Sequence, residues 1–182
     1  DDGSYTILVR TVNAAKRRDD QDREFKFTYD TQLPEIGEIT CWVSTVQKGS
    51  INPKADLSYV SDQITKIQVK LVDKGPADVD IDRSSMRLID PTGKAVEGNT
   101  SDNDKDTLIF EFPASLSLEG SYTLEVNAVD KARNSAQLRL RFIYAVSVPK
   151  VVSTTPATSP AEKAYVRTQL KEVRAELRAT GT

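Results

Sequence analysis

LEGSYTLEVNAVDKARN, residues 118–134, is where the reading of this 182-residue chain turns. Tyr122, Leu124 and Val126 alternate with Thr123, Glu125 and Asn127, a period of two that gathers the apolar side chains on one face of a strand. The turn DKARNSA (130–136) follows, with Asp and Asn side chains that bond their own backbone. Beyond it Leu138, Leu140, Phe142 and Tyr144 alternate with Gln137, Arg139 and Arg141. The stretch is a β-hairpin with one apolar face, and such a hairpin is marginal in water until further strands cover it.

The same hairpin stands at the start of the chain. Gly3-Ser4-Tyr5-Thr6-Ile7 lies over Gly120-Ser121-Tyr122-Thr123-Leu124 at an offset of 117, and Val9, Val12 and Ala15 lie over Val126, Val129 and Ala132. After the loop the offset becomes 115, and Phe27, Tyr29 and Pro34 meet Phe142, Tyr144 and Pro149. Self-similarity of this kind marks repeat architecture. Residues 1–33 therefore read as the C-terminal hairpin of a preceding repeat, 34–150 as a complete domain, 151–159 as a Thr/Ser/Pro linker and 160–180 as an α-helix. The first copy's loop, AAKRRDDQD (14–22), shows no trace of the second copy's turn motif, and its basic run is neutralised at once by the acids that follow.

Residues 34–117 supply the covering strands. EITCWVSTV (38–46), ITKIQVKLVD (64–73) and TLIFEFP (107–113) read as strands, the last stopped by proline. SMRLIDPTGKAVEG (85–98) reads as strand, Pro-Thr-Gly turn and short strand. About seven short strands separated by turn signals imply an all-β, immunoglobulin-like Greek-key β-sandwich. Leu118, Gly120 and Tyr122 form L-x-G-x-Y where a tyrosine corner sits, its hydroxyl bonding back to upstream backbone, and Tyr5 is the counterpart in the first copy. Trp42, beside Cys41, is assigned to core packing.

At the far end three helix-start signals coincide: Ser159 as N-cap, Pro160 at the first helical position and Glu162 completing a capping box. Val166, Leu170, Val173 and Leu177 then fall on one stripe with Tyr165 beside it, and the short C-terminal helix ends before Gly181. The stripe is expected to pack on the sandwich or to open a further domain, with a partner seam as the alternative.

Composition closes several routes to function. A net charge of −2 gives no footprint for nucleic acid, and no apolar run is long enough to insert in a membrane. Without histidine, and with Cys41 as the sole cysteine, the chain lacks the means for a Ser-His-Asp or Cys-His nucleophile system, a zinc site or an intrachain disulfide. No catalytic residue is assigned, and an enzyme is not expected.

VDIDRSSMRLIDPTGKAVEG (79–98), TLIFEFPASLSLEGSYTLEVNAVDKARN (107–134) and RFIYAVSVPKVVSTTPA (141–157), in that order, resemble the bacterial immunoglobulin-like repeats of large secreted and cell-surface proteins. Arg133 stands where those repeats carry the glycine of an A-G-N turn, which puts the turn type in doubt. The resemblance implies an extracellular or cell-surface spacer that presents or links neighbouring domains, cut from a longer array. Its partners would be neighbouring immunoglobulin-like domains, with self-association through the N-terminal hairpin or the C-terminal helix as a further expectation. Because residues 1–32 lack a sandwich of their own, something is expected to cover them: the helix, a neighbouring chain or exchanged strands.

The alternative is an adhesin or carbohydrate-binding module acting through acidic loops, assisted by calcium. Asp78, Asp80 and Asp82 alternate with Val79 and Ile81, and Asp102, Asp104 and Asp106 have the opening spacing of a calcium loop. The second series then fails, with Thr107 where the loop needs glycine and Pro113 where it needs glutamate, and the first is also what a solvated strand face produces. The preferred expectation is no cofactor, with calcium the one candidate.

Overall fold

The computed structural model describes residues 1–18, 21–55, 57–104, 106–148, 150–155 and 174–178. Its centre is a sandwich of two sheets. Glu35–Val43 (β3), Val46–Ile51 (β4), Lys66–Val72 (β6), Asn99–Asp104 (β8) and Thr107–Glu111 (β9) form a five-stranded sheet in the order β4-β3-β6-β9-β8. Ser58–Val60 (β5), Ser85–Ile89 (β7), Gly120–Val129 (β10) and Ser135–Tyr144 (β11) form a four-stranded sheet in the order β5-β11-β10-β7. The alternation seen in the sequence becomes the interior: Ile39, Cys41, Ile67, Val69, Leu71, Leu108 and Phe110 of the first sheet meet Met86, Leu88, Tyr122, Leu124, Val126, Leu140 and Phe142 of the second. Each fully buried large side chain here contributes about 1.5–3 kcal/mol. Trp42 lies outside this core, half-buried on the opposite face of β3 from Cys41, with the Lys66 ammonium 5.3 Å from its ring centre.

Before the sandwich, Gly3–Val9 (β1) and Arg23–Tyr29 (β2) form a separate hairpin. It repeats β10–β11 residue for residue. Tyr5 pairs with Phe27 and Ile7 with Phe25, as Tyr122 pairs with Phe142 and Leu124 with Leu140. The Tyr5 and Phe27 rings stack at 5.4 Å, the Tyr122 and Phe142 rings at 5.6 Å. The turns agree as well. Lys16 N–H donates to the Asn13 carbonyl with φ 58° at Lys16, and Arg133 N–H donates to the Asp130 carbonyl with φ 73° at Arg133. Arg133 thus holds the left-handed conformation that a glycine would take, and the turn motif that looked lost in the first copy is present in its geometry.

What differs is burial. Ile7, Phe25 and Phe27 are 51%, 56% and 47% exposed, whereas their counterparts Leu124, Leu140 and Phe142 are 0%, 7% and 0% exposed. Among the described residues nothing covers this hairpin, and along both strands they are almost all exposed.

The C-terminal α-helix is also corrected. Among the described residues there is no α-helix, and Arg174–Arg178 (β13) pairs antiparallel with Lys150–Thr155 (β12), Val151 opposite Leu177. The physical reason lies in a double periodicity. Leu177 fits the helical stripe, but Arg174, Glu176 and Arg178 also alternate with Ala175 and Leu177 at a period of two, and the β-branched run VVSTT supplies a strand to pair with. The start signals at Ser159, Pro160 and Glu162, and the stripe residues Val166, Leu170 and Val173, lie outside the described residues.

Candidate functional site

Three strands of different parts of the chain end at one pole of the sandwich, and each is followed at once by aspartate. Asp30 follows β2, Asp73 follows β6 and Asp130 follows β10. One carboxylate oxygen from each lies within 4.8 Å of the others. Asp30 is 7% exposed and Asp130 is fully buried. Among the described residues no Lys or Arg forms an ion pair with any of the three. The cations next in sequence point elsewhere: Lys74 pairs with Glu35 at 2.7 Å and Lys131 with Asp78 at 3.2 Å.

Hydrogen bonds hold the carboxylates in place. Asp30 accepts from the backbone N–H of Gln32 and Ala77, both at 2.9 Å. Asp73 Oδ1 accepts from Gly75 N–H at 2.8 Å, while its Oδ2 is sealed from solvent with no partner. Asn134 donates its backbone N–H and its side-chain amide to Asp130, each at 2.8 Å, and the same amide reaches the Asp30 carbonyl at 3.1 Å. Gly75 is required by contact: a Cβ there would stand 2.2 Å from Asp30 Oδ2.

A second acidic device recurs in both copies. Glu119 Oε1 accepts from Val146 N–H at 2.7 Å, so the residue before β10 grips the first backbone leaving β11. Asp2, its counterpart at offset 117, accepts from Thr31 N–H at 3.0 Å, just beyond β2. Beside each clamp sits a tyrosine corner. The Tyr122 hydroxyl donates to the Leu118 carbonyl at 2.8 Å, close to Gly120 with its φ of 133°, and the Tyr5 hydroxyl donates to the Asp1 carbonyl.

The acidic residues singled out from sequence are dispersed. Asp78 pairs with Lys131, Asp80 pairs with Arg83 at 3.4 Å, and Asp82 is exposed in the adjoining turn. Asp102 is exposed on β8, Asp104 pairs through its backbone with Thr107, and Asp106 pairs with Lys70 at 3.1 Å. Among the described residues, the group of three carboxylates that does converge contains none of these six. The signal that would have found it is a repeated one, an aspartate as the first residue past a strand.

The donor set of this group is entirely carboxylate oxygen. Nitrogen and sulfur ligands are not at hand: the chain has no histidine, and burial holds Cys41 in the core and pushes its thiol up to about 12.

No protein-family model matches the chain, and no curated protein matches it in sequence. Solved structures with some similarity include CopC from Methylosinus trichosporium OB3b, at 17% identity over 50% of this chain and 84% of that one with a TM-score of 0.40. PcoC, a methionine-rich copper resistance protein from Escherichia coli, is 15% identical over 62% of this chain and 99% of that one, with a TM-score of 0.43. The Lin-41 filamin domain is 22% identical over 48% of this chain and 82% of that one, with a TM-score of 0.31. Likenesses this loose transfer neither ligand nor activity.

Proposed function

We propose that the chain is a non-catalytic structural unit of a larger secreted or cell-surface protein, in which tandem immunoglobulin-like sandwiches space and orient their neighbours. One observation carries this reading: β1–β2, though shorter, matches β10–β11 in register, turn, aromatic stack and clamp, and differs sharply from it in burial. A hairpin that keeps Tyr5, Ile7, Phe25 and Phe27 on one face keeps them for a covering sheet. The equivalent residues in the second copy meet the sheet β4-β3-β6-β9-β8, so a sheet of that kind, from the preceding unit of the same protein, is the partner that fits. The lack of histidine and the sealed Cys41 agree with a role without catalysis.

The test is accessibility in longer chains. With cysteine at Ile7 and at Phe27 in a Cys41→Ala background, thiol labelling is expected to be fast in these 182 residues and to fall sharply once the preceding segment of the natural protein is present. Equal labelling in both would defeat the reading.

A further inference from the structure

We propose that Asp30, Asp73 and Asp130 together bind one hard divalent cation of the calcium class, and that the bound ion pins the β1–β2 hairpin to the pole of the sandwich. Carboxylates within 4.8 Å of each other, Asp30 and Asp130 buried and Asp73 partly so, repel, and a cation between them would cancel that repulsion. The two lysines that could do so by position are committed to Glu35 and Asp78. The orphaned Asp73 Oδ2 is the second sign: a carboxylate oxygen sealed from water, without a donor, in a group whose other oxygens are fixed by Gln32, Ala77, Gly75 and Asn134. A cation held by the cluster would supply the partner that this oxygen lacks.

Oxygen-only donors select calcium or magnesium over zinc or copper. Two oxygens on one calcium, at about 2.3–2.6 Å each, lie no more than about 5 Å apart, which the cluster satisfies. Water completes the coordination shell, since three side chains fall short of the six to eight oxygens that calcium takes. The ligands come from the hairpin's exit, the loop after β6 and the turn after β10, so occupancy fixes the hairpin's attachment. This holds whether or not the hairpin belongs to an upstream sandwich.

The experiment uses the full chain, stripped with EGTA and then given calcium, magnesium or terbium. Millimolar calcium is expected to raise Tm by about 5 °C or more, reversibly, and to slow amide exchange at residues 31–33 and at Gly75 and Ala77. Terbium luminescence is expected to appear and to be competed by calcium. Asp73→Asn removes repulsion while keeping the Gly75 bond, so it is expected to leave the metal-free Tm unchanged or higher and to abolish the calcium and terbium responses. Asp82→Asn is expected to keep both. No calcium response in the unaltered chain, or an undiminished one in Asp73→Asn, overturns the site; an equal response to magnesium overturns the calcium assignment.

Discussion

Tyr122 and Tyr144 meet edge to face with ring centres 5.8 Å apart, yet their hydroxyls fare differently. Tyr122 donates to Leu118, whereas the Tyr144 hydroxyl is buried with no partner. Tyr122→Phe should therefore cost about 1 kcal/mol, and Tyr144→Phe should be neutral or stabilising, as read from urea denaturation midpoints. Arg133 offers a third test. Its φ of 73° strains any residue with a Cβ, so Arg133→Gly should gain about 1 kcal/mol in the same measurement. The tyrosine corner was legible because L-x-G-x-Y is local in sequence. The Arg133 turn was not, because the sequence signal for a positive φ is glycine and the chain places arginine there. Asp30, Asp73 and Asp130 were illegible as a group because 43 and 57 positions separate them, and each taken alone reads as an ordinary turn residue.

The two hairpins share a sequence pattern but not an environment, and their stabilities should separate accordingly. Leu124→Ala opens a cavity in the core and should cost about 2–5 kcal/mol. Ile7→Ala, at the equivalent register position on the open hairpin, should change stability by no more than about 0.5 kcal/mol in this chain. Amide exchange should follow suit, with β10–β11 protected close to the level of global unfolding and β1–β2 exchanging by local opening. A Leu124→Ala cost as small as that of Ile7→Ala would contradict the sandwich core described here. Strands with alternating apolar residues were readable from sequence. β8 was not, because NTSDND offers no apolar face to mark it as the edge strand beside β9. Residues 174–178 misled for the opposite reason, since they satisfy two periods and their pairing partners lie 19 to 28 positions upstream.

At the level of the whole molecule, the fold holds three carboxylates below their usual range. The Thr92 hydroxyl does this for Asp90, Lys70 for Asp106 and the Ser147 contact for Glu119. A group lowered in the folded state contributes its stability above its unfolded range and loses it as pH falls through the folded value. The urea midpoint should thus decline on acidification below about pH 5, and a chain carrying Asp90→Asn, Asp106→Asn and Glu119→Gln should show a flatter decline. The same Glu119, with Asp2 as its twin, has a consequence of another kind. Because the residue that opens each hairpin also grips the backbone departing from it, part of the direction of the outgoing chain is encoded within the hairpin itself. Gene duplication of such a unit would copy this part of the joint along with the wall, so a protein that lengthens by repetition inherits the clamp with each copy.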